Sequence, residues 1–363
     1  MSDRVGSETA RAVGSKAAIG AGPDSFVAAR PAALAAFLGS CDWGGGTPVL
    51  LAADASFRCY YRVCRGRRRA VVMDAPPPRE DVATFAAIAT VLRDLGLSAP
   101  RVLGEDRARG FLLLEDFGDD TYRRLLADGA DEPGLYALAV DTLVALQRAV
   151  ATGEPPDLPA YDETLLLAEA ALLIDWYLPA VLGARLDGRL REEYLELWRP
   201  VLARALAPFK PTLVLRDFHI DNLVLLRRRR EVRRCGLLDF QDAVCGPPSY
   251  DLVSLTADAR RDVSEELAEE MTARYLAGFP QFDRAAFIAS ASVFAVQRNC
   301  KVLGIFTRLW RRDRKPGYLL HIPRLWRLVE RDLRHPSLAP IRQWLDRHLP
   351  SHARGVPDMR LPP

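Results

Sequence analysis

Residues 211–255 read PTLVLRDFHIDNLVLLRRRREVRRCGLLDFQDAVCGPPSYDLVSL. Two short apolar strands are joined by an Arg-rich turn, with Asp217 ahead of the first, Asn222 at its start and Asp239 immediately after the second. Such a hairpin brings these three side chains to one end. Three oxygen-bearing side chains at a strand end suit a hard divalent cation that keeps waters and phosphate oxygens as its other ligands.

Phosphoryl transfer needs such a site. In the kinase layout an Asp five residues before an Asn orients the attacking hydroxyl, the Asn holds one Mg²⁺, and a later Asp after a strand bridges metal to the β and γ phosphates. Asp217-x4-Asn222 and Leu238-Asp239-Phe240 follow that order. The spacing alone is weak, because Asp and Asn are common in turns. The flanking strands, Gly246 and Asp251 make it specific.

On these residues the chain resembles the aminoglycoside phosphotransferase and choline kinase group, and within it the bacterial anomeric kinases of N-acetylmuramate and N-acetylglucosamine. The narrower likeness is carried by ADASFRCYYRV (53–63), VVMDAPPPRED (71–81), FLLLEDFGDDTY (111–122), LRDFHIDNL (215–223), LLDFQDAVCGPPSYDLVSL (237–255) and QRNCKVLGIF (297–306), and spans roughly residues 30–345. The resemblance implies an α+β, bilobal protein-kinase-like fold, ATP and Mg²⁺ as cofactors, and an amino sugar as acceptor.

It also implies roles. Asp217 is expected to orient the sugar hydroxyl and accept its proton, Asn222 and Asp239 to hold the metal, and Asp251 to brace the catalytic loop. Ser56 and Arg58, in the turn ASFR, are expected to cover the phosphates, and Glu115 and Phe117 to form the adenine-binding hinge. For the acceptor, Glu169 and Asp175 are the expected hydroxyl contacts, with Trp176 beside them, and Arg298 and Lys301 the cationic ones. A guanidinium holds a carboxylate such as the lactyl group of N-acetylmuramate by two parallel hydrogen bonds, which favours Arg298.

Two departures from the kinase pattern stand out. Leu215 and Arg216 precede Asp217 where the wider group often has His two residues before, and Met73 stands where protein kinases place a phosphate-contacting Lys. No Glu occurs between Val82 and Leu95 to pair with such a Lys. The double loss is coherent, since losing one alone strands a buried charge. Arg58 or Arg62 can take over, or the metal can suffice.

The chain pattern agrees with two lobes. Strands over about 49–75, a helix with Val82, Phe85, Ala89 and Leu92 on one face and a stop at Gly96, then two more strands form a small antiparallel sheet with one helix, residues 29–117. Residues 118–345 read as mostly helical, with the opening hairpin as their only strands. Residues 1–28 and 346–363 read as tails, the first disordered and without the apolar core of a signal peptide.

Composition bounds the rest. With 49% hydrophobic residues and a net charge of +3, there is no case for a nucleic-acid partner, and no run of 18 apolar residues suggests a membrane span. Six cysteines without metal-type spacing read as reduced thiols of a cytoplasmic protein. The basic runs at 65–69 and 227–234 read as solvated hairpin turns. Three rival readings remain: an aminoglycoside or choline-type phosphotransferase of the same fold, a catalytically inactive nucleotide-binding regulator, and a metallohydrolase using Asp217, His219 and Asp221. Oligomeric state is left open.

Overall fold

The computed structural model describes residues 23–53, 57–152, 157–183 and 187–359. The N-terminal lobe runs α1 (Pro23–Ser40), β1 (Val49–Ala53), β2 (Cys59–Arg65), β3 (Arg68–Asp74), α2 (Val82–Asp94), β4 (Val102–Asp106) and β5 (Phe111–Glu115). Its strands form one antiparallel sheet in the order β1-β2-β3-β5-β4.

The central strand β5 is buried on both faces, which explains the unbroken apolar run FLLLE. Ala70, Val72, Phe111 and Leu113 pack under Leu34, Phe37 and Trp43 of α1 and the segment after it. Met73, Leu112 and Leu114 face Val82, Phe85 and Leu92 of α2. Period-two alternation along a strand sends neighbours to opposite faces, so each face needs its own cover. This corrects the expectation of one helix: the lobe has two, and α1 begins at Pro23, inside the segment assigned to the tail. Its sequence, interrupted by Pro31 and rich in Ala on every side, carries no amphipathic stripe to announce it. By contrast α2 starts as read, with the Asp81 carboxylate capping the N–H of Ala83 at 2.8 Å.

The C-terminal lobe comprises α3 (Tyr122–Ala127), α4 (Glu132–Thr152), α5 (Glu163–Leu172), a π-helical turn (Leu173–Tyr177), α6 (Leu178–Leu182), α7 (Gly188–Leu206), β6 (Thr212–Val214), β7 (Leu223–Leu225), β8 (Cys235–Leu237), β9 (Val244–Gly246), α8 (Tyr250–Thr256), α9 (Glu265–Ala277), α10 (Arg284–Asp313), α11 (Ile322–Asp332) and α12 (Ala339–His348). The expected hairpin is β7–β8, paired Leu223 to Leu237. A second pair, β6–β9, was not expected. Three-residue strands are too short to show a period, and their pairing spans the whole catalytic stretch.

Residues assigned to the C-terminal tail are partly docked. Arg354 reaches the Leu349 carbonyl (2.8 Å), Glu330 (3.1 Å) and Asp346 (2.6 Å), and Tyr177 donates to the Gly355 carbonyl. Two helical stretches, Glu132–Thr152 and Glu163–Leu182, have the length and mean hydropathy to cross a bilayer, although charged residues interrupt both. Half or more of each is buried inside the fold, where they build the core of this lobe.

Candidate active site

The site starts from a strained loop. After β6 the chain turns at Arg216, a non-glycine residue with φ +70°. Such a conformation persists only when surrounding contacts hold it. The buried carboxylate of Asp251, in the first turn of α8, does so by accepting the N–H groups of Leu215 (2.7 Å) and Arg216 (2.9 Å). Burial pushes the Asp251 carboxyl up to about 7, against the pull of those two donors. Its structural assignment thus agrees with its contacts.

The staple leaves Asp217 on the wall of a cavity of about 1280 Å³ between the lobes, together with Asn222 and Asp239. The Asn222 side-chain amide donates to the Asp217 carbonyl (3.0 Å) and lies 3.4 Å from Asp239 Oδ2. Asp239 sits at φ +56° and accepts from Gln241 (3.0 Å). Among the described residues no group of three or more His, Cys, Asp and Glu side chains has metal-site geometry. An amide oxygen and one carboxylate are instead the donor set of a cation that keeps phosphate and water ligands, and Asn222 Nδ2 bonded to a carbonyl leaves Oδ1 as the accepting end.

Electrostatics favour an ionised Asp217. Burial opposes its charge, yet Lys301, Arg298 and Arg216 nearby hold the carboxyl below its usual range. The His219 pKa is also lowered, to about 3, through burial and the positive charge of Arg260, which favours its neutral form. Its Nε2 faces two donors, Asn222 Nδ2 and Arg260 Nη1, each at 3.4 Å, so Nε2 accepts and the proton resides on Nδ1. Asp221 turns to Arg123 (3.0 Å) and Arg260 (3.5 Å). The D-x-H-x-D sequence therefore does not fold into a three-ligand metal site.

At the phosphate end Met73 is buried in the apolar core, as its place in β3 requires. The cation comes from the neighbouring strand: Arg58, just ahead of β2, lies 3.4 Å from Glu80 and 3.4 Å from Asp239. Glu80 also accepts the N–H of Phe57 (3.3 Å). Sequence reading missed Glu80 because it precedes α2, outside the helix that was searched for a partner. Arg62 instead grips Asp116 (2.7 and 3.0 Å) and Asp119 (2.7 Å) beside the hinge. Ser56 lies outside the described residues.

Glu115 and Phe117 both line the cavity, with Gly118 at φ +83° following them. The Glu115 carboxylate is taken by Arg229 (2.7 Å) and Arg101 (3.3 Å), and Arg229 covers the Phe117 ring at 5.0 Å. Arg227 bonds Asp120 at 2.8 Å. Arg227 and Arg229 thus tie the basic run at 227–234 to the hinge, while Arg228, Arg230, Arg233 and Arg234 are exposed, as a solvated turn requires.

The acceptor assignments divide. Arg298 and Lys301, on α10, line the cavity, and Arg298 keeps a buried Nη1 with no partner. Glu169 is buried beneath them and holds Lys301 (2.9 Å), Arg216, Tyr161 and Gln297 (3.4 Å), so its oxygens organise cations rather than meet a ligand. Asp175 is exposed, bonded to Arg191 of α7 at 2.8 and 3.2 Å, and does not line the cavity. Its substrate assignment is corrected; the π-helical turn that contains it widens the helix and rotates it outward.

With this geometry in view, similarity to known proteins becomes interpretable. The profile of the APH phosphotransferase enzyme family matches residues 48–288. The N-acetylmuramate/N-acetylglucosamine kinase of Caulobacter vibrioides is 36% identical, the match covering 90% of this chain and 98% of that protein. Its namesake from Pseudomonas aeruginosa is 40% identical over 84% and 90% of the two chains. In three dimensions the chain is similar to choline kinase LicA from Streptococcus pneumoniae (TM-score 0.59, 11% identity, 84% and 99% of the two chains) and to the gentamicin–APH(2'')-IIa complex (TM-score 0.55, 17% identity, 81% and 95%). At those identities the structural likeness speaks for the fold alone.

Proposed function

We propose, from the premise that this chain belongs to the phosphotransferase enzyme family, that it is an ATP-dependent cytoplasmic sugar kinase acting on the anomeric hydroxyl of N-acetylmuramate and N-acetylglucosamine in cell-wall sugar recycling. The names of its relatives support the acceptor. The observation that carries the reading is the convergence of Asp217, Asn222 and Asp239 on one inter-lobe cavity that also presents Arg298 and Lys301.

In this reading the sugar C1 hydroxyl lies against Asp217, which orients it and takes its proton as the new O–P bond forms and the γ-phosphorus leaves the ADP oxygen. Asn222 Oδ1 and the Asp239 carboxylate would hold Mg²⁺, which when bound offsets charge on the β and γ phosphates. Arg58, held by Glu80, meets the phosphates. Hinge backbone at Glu115 and Phe117 receives adenine, and Asp251 holds the catalytic loop. Arg298 takes the lactyl carboxylate in a two-bond fork. Lys301 adds positive potential at the same wall while paired to Glu169. A cationic aminoglycoside or choline would meet that wall unfavourably, which ranks those acceptors lower.

The test is incubation of the purified chain with Mg-ATP and each N-acetyl sugar, with the phosphate located on the product by NMR. Sugar 1-phosphate is expected, with kcat lowered about 10²–10⁴-fold in Asp217→Asn and activity lost in Asp239→Asn. ATP binding without transfer to any sugar would favour an inactive regulator, and full turnover in either variant would remove the assigned site.

A further inference from the structure

One face of α10 runs on past the groups assigned to the reaction. Arg298, Lys301, Ile305, Arg308 and Arg312 all line the inter-lobe cavity, spaced as one stripe of a helix. From Arg298 to Arg308 is ten residues, about 15 Å of helix, which is longer than one pyranose ring. A monosaccharide with its C1 hydroxyl at Asp217 therefore leaves the far stretch of the cavity to something else.

That far stretch has a chemistry of its own. Arg308 is half-buried, makes no ion pair among the described residues, and has a buried Nε with no partner. Its guanidinium is under pressure from burial and from the like charge of Arg312, with Asp313 the one acidic group that favours it. Asp313 is itself bonded to Arg312 at 2.8 and 2.9 Å. Phe306, on the same helix, packs on Tyr318 (5.2 Å) and His321 (5.6 Å), and all three rings line the same cavity. His321 Nδ1 is buried without a partner. The other nearby cations, Arg123 and Arg260, already share Asp221. A half-buried guanidinium whose Nε the chain leaves unmatched, in a cavity also lined by aromatic rings, suits an anion from the ligand.

The geometry points to a distal acceptor subsite, centred on Arg308, His321 and the Phe306–Tyr318 pair, that takes a carboxylate-bearing extension of the sugar. Because C1 must stay free for transfer, the extension leaves through another substituent, and an N-acetylmuramate whose lactyl carboxyl is amidated by a short acidic peptide meets the requirement. Its alanyl methyl group faces Ile305 and the rings, and its terminal carboxylate meets Arg308. A neutral glycan extension would leave that guanidinium as unpaired as before. This inference rests on the sugar kinase reading.

The experiment compares kcat/KM for four acceptors with the full chain: N-acetylglucosamine, N-acetylmuramate, N-acetylmuramyl-L-alanyl-D-isoglutamic acid and the same compound with its carboxylates converted to carboxamides. The acid is expected to be phosphorylated and to exceed its amide twin by about tenfold. Arg308→Gln should erase that acid-to-amide ratio and Arg308→Lys should keep most of it. Phosphorylation of N-acetylglucosamine with refusal of the extended acid, or an unchanged acid-to-amide ratio in Arg308→Gln, would overturn the subsite alone. Failure of N-acetylglucosamine and N-acetylmuramate to react would overturn the sugar reading, and the subsite with it.

Discussion

Arg58 and Glu80 stand 3.4 Å apart across the mouth of the cavity, the cation ahead of β2 and the acid ahead of α2, with the second guanidinium nitrogen of Arg58 3.4 Å from Asp239. Together they restore a cation–carboxylate pair whose usual strand position is occupied by buried Met73. Glu80 does double duty by accepting the Phe57 N–H, so it also ties down the end of the turn before β2. Burial works against the Arg58 charge, and Tyr60, Asp239, Glu80 and Asp242 together raise its pKa above the usual value.

If Arg58 meets the phosphates, Arg58→Ala should lower kcat/KM for ATP about 100-fold. Glu80→Gln should lower it about tenfold, because the guanidinium remains but loses its hold. The informative readout is equilibrium binding of ADP against adenosine: both variants are expected to weaken ADP and leave adenosine unchanged. Equal losses for the two ligands would mean a general collapse of the lobe.

Asp251 accepts two buried N–H groups from a loop held at positive φ. Asp251→Ala strands both donors, at a cost of about 3 kcal/mol. Urea unfolding should register that loss, and activity should fall with it because Asp217 is the next residue along the loop.

The histidine next to the catalytic loop sets a pH dependence. His219 has a folded pKa of about 3 against an unfolded value of about 6.5. Between those values the unfolded chain binds the proton and the folded chain does not. Its stabilising contribution is therefore complete above about pH 6.5 and lost as pH falls toward 3, with a limiting slope of about 1.4 kcal/mol per pH unit. His321, pushed down to about 4, contributes in the same direction. Unfolding free energies measured from pH 7 to 4 should decline less steeply in His219→Gln than in the parent chain. Identical slopes would mean that His219 is protonated in the native state.

Gly304 lies against the end of α5, where a Cβ would come within 2.3 Å of the Leu172 carbonyl carbon and oxygen. That close approach sets α10 against the π-helical turn that follows Leu172. Gly304→Ala should cost about 1–3 kcal/mol, read as a lower urea midpoint. Because α10 carries Arg298 and Lys301, the acceptor KM should rise as well.

What could be read in advance followed local rules. The β7–β8 hairpin, the apolar face of α2 and its stop at Gly96, and the gathering of Asp217, Asn222 and Asp239 all depend on residues near one another in sequence. Glu80 was not legible because it lies ahead of α2, outside the helix where kinases carry the partner acid, whereas an ion pair needs only that two side chains reach each other. Helix α1 escaped because an Ala-rich segment fills a groove without showing a stripe. Asp175 stands among apolar neighbours in sequence, and that setting suits a surface ion pair with Arg191 of α7 as well as it suits a ligand contact.

The sequence by itself determined the chemistry: which oxygens gather at one strand end, the reduced role of position 73, and two lobes joined near Glu115. Those follow from spacing and side-chain type, which act over a few residues. Only the tertiary structure decided where the charges go. Whether Glu169 faces a ligand or neutralises Lys301 and Arg216, whether Arg229 is a solvated turn or a strap on Phe117, and whether Arg308 is left without an anion all depend on separations of many residues. Electrostatic pairing is set by distance and burial in space, and neither quantity is written in the order of the chain.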